Sequence, residues 1–324
     1  MVILPNIIAH CWYGEVMSTN LYSDSLRSVI RKHRNVFMLG TQASDFFAAY
    51  HRMPWQSKKN AKLVQDCLGK MHNDRINESF RYIFEFARRQ QDDVISAYVA
   101  GYICHWALDM SVHPYVFYST GNSQEAAGLS HQLFETYIDY RVIRDNDLDT
   151  EDYASYKLIA NKEHADGKIA ELYFGVLHDV YGLNVTKKEI TDSINDFRKV
   201  HKLLWDPQGK RYGFVERLEN AFGLQGFGTT MMLPREYDSE MDAINDRKAE
   251  WHNVADYEIT SNETFYEMAK KAIGEGVTLL TLFDRYMKGD IEVETLLEDI
   301  NDRSFFTGLD YRKPLKFYRQ DIER

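Results

Sequence analysis

Five histidine and carboxylate side chains recur at intervals of four within one stretch of the chain. His105, Asp109 and His113 form a first series, and His131 and Glu135 form a second. Residues four apart on an α-helix lie one turn above each other on the same face, so each series predicts a helical stripe of polar side chains. Imidazole nitrogen and carboxylate oxygen are ligands that suit Zn²⁺, and two facing helices can supply a closed set of them.

The first series continues an apolar stripe of the same predicted helix. Ala97, Tyr98 and Gly101 lead into His105, so this face is expected to be buried. A lone histidine on such a face is more often a satisfied core residue than a metal ligand. A buried carboxylate, however, is costly unless it is paired or bound to a cation. The polar residues on two like-facing stripes between 98 and 135 therefore favour a metal site.

The length and composition fit a helical globular protein. The chain has 324 residues, of which 44% are hydrophobic and only six are proline. No convincing strand pair, repeat or domain linker is found, so we predict an all-α fold with residues 1–324 in a single multi-helix domain. The N-terminal residues lack the basic and apolar regions of a secretory signal, and no apolar run reaches the length of a membrane span. A cytoplasmic protein is therefore expected.

Charge and cysteine usage narrow the classes of partner. The formal net charge of −10 argues against nucleic acid as a partner, because binding to a phosphate backbone needs a basic surface. The charge does not exclude a phosphate substrate held by bound cations. Cys11, Cys67 and Cys104 have no disulfide-type or metal-type spacing, so they are predicted to be small buried residues.

Helical periodicity and end signals outline the other elements. The predicted helices span residues 23–33, 63–72, 73–90, 92–113, 130–144, 153–182, 187–205, 236–250, 262–288 and 292–301. Asp92 is expected to start the central helix and Pro114 to stop it just after His113. A loop over residues 115–128 is expected to rim the site, and the glycine-rich residues 223–228 are interpreted as another loop.

Asp45 has two interpretations from the residues alone. It follows Ser44 at a position typical of a helix N-cap, ahead of an aromatic pair, so it could cap a helix. It could equally be a metal ligand. Both interpretations stay open at this level.

With His10, Asp45, His72, the HxxxDxxxH series and the HxxxE pair in this order, the chain resembles the zinc-dependent phospholipase C family. This is the all-helical family of bacterial phosphatidylcholine-cleaving enzymes, distantly related to fungal single-strand nucleases. The two ligand helices are the specific part of the likeness, and only a general helical likeness extends beyond them.

The resemblance implies a cluster of up to three zinc ions. One ion would be held by Asp45, His72, His105 and Asp109, a second by His113, His131 and Glu135, and a third by His10 with a bridging Asp109. In the family the third ion also uses the amine and carbonyl of an N-terminal tryptophan exposed by processing, whereas Met1 stands first here and Trp12 lies after His10. Two zinc ions are therefore expected, and a third stays open.

The resemblance also assigns roles within the site. The family's histidine follows a loop and opens the next helix, which favours His72 over His51 as a ligand. Asp45 is implied to be the catalytic residue that orients or deprotonates the attacking water. The family's choline-recognising acidic residue has no clear counterpart here. Aromatic side chains that could wall the substrate or simply fill the core are Phe46, Phe47, Tyr50, Tyr115 and Tyr118.

We therefore predict a zinc-dependent, phospholipase C-like hydrolase of phosphate esters that uses metal-activated water. The substrate would be a phosphate-ester small molecule or a phospholipid headgroup. Two alternatives stay open: a nuclease or nucleotidase-type phosphoesterase, and a non-catalytic helical protein with structural zinc. A free coordination position would favour catalysis, and a complete protein ligand set would favour a structural ion. Neither the leaving group of the reaction nor the oligomeric state follows from the sequence.

Overall fold

The computed structural model describes residues 7–53, 55–121, 126–224, 226, 228–234, 238 and 240–319, with backbone only for 126–128. In these residues the chain forms thirteen α-helices and one two-stranded hairpin, so the predicted all-α fold is confirmed. The helices are α1 (Ile8–Thr19), α2 (Asp24–Lys32), α3 (Arg34–Gly40), α4 (Ala61–Asn73), α5 (Ile76–Gln90), α6 (Asp93–Thr120), α7 (Ala126–Asp145), α8 (Ser155–Leu158), α9 (Asp166–Gly175), α10 (Lys187–Leu204), α11 (Tyr212–Phe222), α12 (Phe265–Lys288) and α13 (Val293–Ile300). Short 3-10 turns span Asp45–Ala49 and Thr229–Met231, a π-turn spans Val176–Val180, and the antiparallel strands are β1 (Trp251–Asn253) and β2 (Asp256–Ser261).

Helix α6 is the centre of the fold. Every residue from Ile95 to Met110 is buried, because α1, α3, α7 and α12 pack around it. Asp92 caps its N-terminus by accepting a hydrogen bond of 2.8 Å from the N–H of Val94, as the sequence predicts. A helix buried on all sides can carry polar groups only where other buried groups face them.

The predicted end of α6 at Pro114 is wrong, since the helix continues to Thr120. Proline lacks an N–H, so the carbonyl of Met110 loses its helical donor. The backbone at Gly308 packs directly against this carbonyl: a Cβ on Gly308 would lie 2.5 Å from Met110 O. Tertiary packing thus accommodates the proline, and His113 keeps its place one turn along from Asp109.

Two glycines bring α3 and α6 into backbone contact. A Cβ on Gly40 would lie 2.2 Å from Tyr98 O, and a Cβ on Gly101 would lie 2.3 Å from Phe37 O. Any larger side chain at either position would force the helices apart. This contact places Thr41, at the end of α3, beside the polar stripe of α6.

Most other predicted helices occur within a few residues of their expected bounds, but two predictions are wrong. The helix predicted over 153–182 is divided into α8 and α9 by the non-helical residues 159–165, and the helix predicted over 236–250 is not formed. Its described residues form turns that lead into β1, a hairpin that the sequence did not predict. Asp242 accepts a hydrogen bond of 2.8 Å from the N–H of Asp246, and the Asn245 side chain bonds to Ala249 O at 3.0 Å. Such side-chain bonds to nearby backbone compete with helix formation. The sequence analysis also predicts no helix at the positions of α1, α3 and α11, and residues 235–237 and 239 lie outside the described part.

The core and the surface agree with the composition. Buried apolar side chains from Ile7 to Tyr318 form one cluster, while the single domain over 1–324 stays a prediction. The three cysteines are buried and free, as expected. None of the described helices is both long enough and apolar enough to cross a bilayer. Of the predicted loop 115–128, residues 115–120 belong to α6 and residues 122–125 lie outside the description.

Candidate metal centre

The structure brings all eight residues predicted as ligands into one buried centre. Helix α6 carries His105, Asp109 and His113, α7 carries His131 and Glu135, α1 carries His10, α4 carries His72, and the first 3-10 turn begins at Asp45. None of these side chains is more than 13% exposed. They form three sets whose ligand atoms lie within 4.8 Å of one another, and His105 belongs to two of the sets.

The first set joins Asp45, His72 and His105. Asp45 Oδ1 lies 3.2 Å from His72 Nε2, and Asp45 Oδ2 lies 3.8 Å from His105 Nε2. Asp109 Oδ2 approaches the same two nitrogens, at 2.9 Å from His105 and 3.6 Å from His72. The carboxylate of Asp45 therefore faces the histidines, which is the geometry of a ligand. The N-cap interpretation of Asp45 is wrong, because Ser44 occupies the N-cap position of this 3-10 turn.

The hydrogen bonds of the two histidines indicate that this set could hold a cation. His105 Nδ1–H donates to Thr41 O at 3.0 Å, and His72 Nδ1–H donates to Leu68 O at 2.9 Å. In the neutral rings both Nε2 atoms then carry lone pairs, yet these atoms lie 3.1 Å apart. Two carboxylates point into the same space. Four electron-rich groups face each other, and this arrangement is stable only with a cation between them.

Without a metal, the cation can only be a proton. Although burial opposes a charge on His72, hydrogen bonds with Asp109 and Asp45 raise its pKa to about 10. Although burial also opposes a charge on Asp109, the imidazoles of His105, His113 and His10 hold the pKa of this carboxyl well below its usual range. The centre thus keeps Asp109 ionised and attracts positive charge.

Zinc binding at neutral pH should therefore release protons. Because the pKa of His72 is raised to about 10 in the metal-free site, this ring holds a proton at pH 7 that zinc must displace. The apparent affinity for zinc should then increase as the pH is raised from 6 to 8. We expect at least about one proton released per chain at pH 7. Calorimetric titration in buffers with different ionisation enthalpies measures this number, and binding without proton release would contradict the assigned state of His72.

The second set joins His113, His131 and Glu135. Glu135 Oε1 lies 3.3 Å from His113 Nε2 and 3.0 Å from His131 Nε2. Although burial opposes its charge, first His131 and then His113 lower the pKa of Glu135 to about 2. Within the described part of the chain, Glu135 Oε2 and His131 Nδ1 are buried and lack a hydrogen-bond partner. Three protein ligands leave a tetrahedral ion one free position, the arrangement typical of catalytic zinc.

The third set adds His10 to His105 and Asp109. The His10 ring stacks on His105 at 4.4 Å, and its Nε2 lies 3.4 Å from Asp109 Oδ1. Burial, together with the neighbouring His105, lowers the pKa of His10 to about 4, so this imidazole is neutral and available as a ligand. The three groups suit a further ion that would share His105 with the first set, whose two histidines Asp109 also approaches.

Asp139 holds the helix that carries His10, and the sequence reasoning missed it. Its carboxylate accepts hydrogen bonds from the N–H groups of Ile8 at 3.1 Å and Ala9 at 2.7 Å, in the first turn of α1. Burial raises the pKa of this carboxyl to about 7. Asp139 follows Glu135 by four residues, so extending the four-residue series along α7 would have identified it.

A loop near the C-terminus completes the centre. Phe305 N–H donates to His72 O at 3.1 Å, and His113 Nδ1–H donates to Phe305 O at 3.2 Å. The next residue, Phe306, packs against His72 and against Phe117 with ring centroids 5.7 and 5.1 Å apart. No local pattern in the sequence marks these residues, because the contact joins segments far apart in the chain.

The centre opens into a cleft of about 580 Å³. Phe117 and Phe306 form its apolar wall, and the polar side of α4 forms the opposite rim. The aromatic residues proposed from the sequence lie elsewhere: Phe46 and Phe47 are fully buried against Tyr173.

Two other proposed wall residues also lie away from the cleft. The hydroxyl of Tyr115 donates to Asp242 O at 2.8 Å, and Tyr118 packs against His252 with ring centroids 5.7 Å apart. His51, the alternative to His72, stacks on Tyr50 at 4.0 Å and is held by Ser57 O through Nδ1 at 2.7 Å. These side chains therefore belong to the surrounding structure.

Comparison with known proteins gives one family. The family model described as zinc dependent phospholipase C matches residues 9–183, which is more than half of the chain and includes all eight residues of the centre. No curated protein and no solved structure matches the chain. The matched range ends well before the loop at Phe305 that closes the centre. The chain belongs to the zinc-dependent phospholipase C family.

Proposed function

We propose that this protein is a zinc-dependent phosphoesterase of phospholipase C type that hydrolyses the ester of a small molecule or a lipid headgroup. The observation that carries the proposal is the pair of Nε2 atoms of His72 and His105, which lie 3.1 Å apart and face two carboxylates, beside an open cleft that Asp45 and His72 line. This arrangement needs a cation of about +2, and imidazole and carboxylate ligands suit zinc.

The ligand sets support two ions and a third position. Asp45, His72, His105 and Asp109 would hold the first, His113, His131 and Glu135 the second, and His10 with His105 and Asp109 the third. With Asp109 assigned to the first ion, the first two ions use seven residues between them, whereas the third shares His105 and Asp109 with the first. We therefore propose two tightly held zinc ions and a weaker third.

Zinc, when bound, lowers the pKa of a water molecule to about 7 and neutralises charge on phosphoryl oxygens. The chain's own groups supply orientation and proton transfer. Asp45 lies at the floor of the cleft with both oxygens towards the histidines, so it can orient the attacking water and accept its proton. Phe117 and Phe306 exclude solvent from one side and can contact the apolar part of a substrate.

The charges around the cleft support a small ester over a nucleic acid. The rim carries Asp66 and Asp74, and Lys70 is the one lysine or arginine among the described lining residues. A polynucleotide would need a basic path for its backbone. The nuclease alternative is therefore less well supported than the phospholipase C-type activity.

The test combines metal analysis with substrate screening. The purified protein should contain about two zinc ions per chain, and chelation should abolish hydrolysis until zinc is restored. The substrates are a phosphatidylcholine, a phosphatidylethanolamine, a single-stranded oligonucleotide and a soluble aryl phosphodiester. Cleavage of the lipid and aryl esters is expected, with little cleavage of the oligonucleotide.

Two outcomes would overturn the proposal. No more than trace zinc after reconstitution would remove the metal centre altogether. Full zinc occupancy with no hydrolysis of any ester would favour a structural role for the ions.

A further inference from the structure

Helix α11 presents an apolar stripe to solvent. Phe214, Leu218 and Phe222, called here the α11 stripe, are 61%, 41% and 57% exposed. They are spaced four residues apart, so they lie along one side of the helix. Tyr212 begins the same helix, and Leu203 lies at the end of α10, where its carbonyl accepts a hydrogen bond of 3.3 Å from Arg211 Nη1; both side chains are also exposed. Single exposed apolar residues are common, but several large ones along one side of a helix mark an interaction surface.

The exposure does not come from a poorly anchored helix. The buried side of α11 consists of Val215 and Glu219. The Glu219 carboxylate accepts hydrogen bonds from Thr229 N at 2.7 Å, Thr229 Oγ1 at 2.8 Å, Gly226 N at 3.2 Å and also from Gly228 N. A buried carboxylate with this many donors fixes the rotation of the helix about its axis. The α11 stripe is therefore held outward by the fold.

Exposed positive charges occur at sequence positions before and within the stripe. From residue 202 to residue 222 the exposed cations are Lys202, Lys210, Arg211 and Arg217. Glu216 is the one exposed carboxylate in this range, because Asp206 and Glu219 are both buried. The whole chain carries a formal charge of −10, so this local excess of cations contrasts with the rest of the surface.

The anchoring loop connects the stripe to a helix of the metal centre. A Cβ on Gly226 would lie 3.2 Å from Leu129 Cδ1, and Thr136 Oγ1 donates to Thr230 O at 2.6 Å. Leu129 and Thr136 belong to α7 and flank the segment that carries His131 and Glu135. The α11 stripe therefore rests, through one short loop, on a helix that forms part of the cleft.

We propose that the α11 stripe is a docking surface for a lipid bilayer, with a preference for anionic headgroups. Phenylalanine and leucine side chains can insert at the boundary between headgroups and acyl chains, while lysine and arginine bind lipid phosphates. A symmetric dimer formed through this surface would place the cations of the two copies against each other, so the cations favour an anionic membrane over a second copy. The inference rests on the proposed function, since an enzyme that cleaves lipid headgroups must first reach a bilayer.

The experiment measures binding to vesicles separately from hydrolysis. Zinc-loaded full-length protein is floated with vesicles of phosphatidylcholine, with and without phosphatidylglycerol. The test variant is Phe214→Ser with Phe222→Ser. The matched control is Tyr22→Ser, because Tyr22 is an aromatic residue that is 88% exposed in the connection between α1 and α2. Circular dichroism and melting temperature establish that each variant is folded.

We expect the wild type and Tyr22→Ser to float, and to float better with phosphatidylglycerol. The double variant should partition at least about tenfold more weakly, since two large apolar side chains no longer insert. Lys210→Glu with Arg217→Glu should remove the preference for phosphatidylglycerol. In a variant that floats less, the rate at which vesicle lipid is hydrolysed should fall relative to the rate at which a soluble phosphodiester is hydrolysed.

Three results would overturn the docking surface: a wild type that does not float, a double variant that floats like the wild type, or a double variant that only changes a dimer into a monomer. Failure of the proposed function gives a different result. In that case no soluble phosphodiester is hydrolysed, while the pattern of flotation is retained.

Discussion

Replacing Asp109 with alanine should remove bound zinc and destabilise the fold by roughly 3–5 kcal/mol. This carboxylate is 3% exposed and lies within 3.6 Å of ring nitrogens from His10, His72, His105 and His113. Its loss leaves imidazoles and any bound cation without their shared counter-charge in the core. His105→Ala should act in the same direction, because His105 contributes to two of the three ligand sets. Zinc analysis and thermal unfolding of the zinc-loaded proteins measure both effects.

A matched control separates the effect of losing the metal from the effect of breaking a buried ion pair on the stability of the fold. Asp166 is also a buried carboxylate, and it pairs with Arg198, 2.8 Å from Oδ1 to Nη2. Asp166→Ala should therefore destabilise the fold but leave the zinc content unchanged. If Asp109→Ala and His105→Ala both kept wild-type melting temperature and zinc content, these residues would be ordinary core groups. The model of a metal cluster would then fail.

The positions of the ligand helices could be predicted because the signal is local. A four-residue interval places side chains on one face whatever the rest of the chain does. The interval from His131 to Glu135 therefore needed no knowledge of the fold. The same rule reaches Asp139, which the sequence reasoning left out although it continues the series. Local periodicity predicts which residues share a helix face, and it does so independently of packing.

The end of α6 and the closure of the centre could not be read from local signals. Pro114 normally stops a helix, but here the backbone at Gly308 packs against the carbonyl that the proline leaves without a donor. Phe305 and Phe306 reach the centre through contacts with His72 and His113, from segments well separated in the chain. Such contacts depend on how the C-terminal segment folds back, and no periodic pattern encodes that.

In the turns before the hairpin, a local pattern leads to a wrong prediction. The apolar spacing in 236–250 fits a helix, but Asp242 and Asn245 adopt positive φ and bond to nearby backbone. Aspartate and asparagine compete with helix formation in this way. If Asp242 and Asn245 are given more weight than the apolar spacing, the sequence predicts turns.

Asp45→Asn should keep the fold and most of the zinc while reducing turnover at least about a hundredfold. Asparagine preserves the shape of the side chain and one oxygen that can face His72, 3.2 Å away in the wild type. Its amide cannot accept a proton, so general-base assistance to the attacking water is lost. The ion in this set should be held more weakly, because one negative charge among its ligands is removed. Zinc content and turnover of a soluble phosphodiester are measured side by side.

Asp196→Asn is the matched control for this substitution. Asp196 is a buried carboxylate outside the centre, and it accepts hydrogen bonds from His51 N at 3.0 Å and Gln56 Nε2 at 2.8 Å. It should retain both zinc and turnover. Near-normal turnover of Asp45→Asn with zinc retained would rule out the catalytic role of this carboxylate. Loss of zinc in Asp45→Asn alone would instead make Asp45 a ligand first. Zinc retained with turnover lost is the one combination that requires the carboxylate as a base.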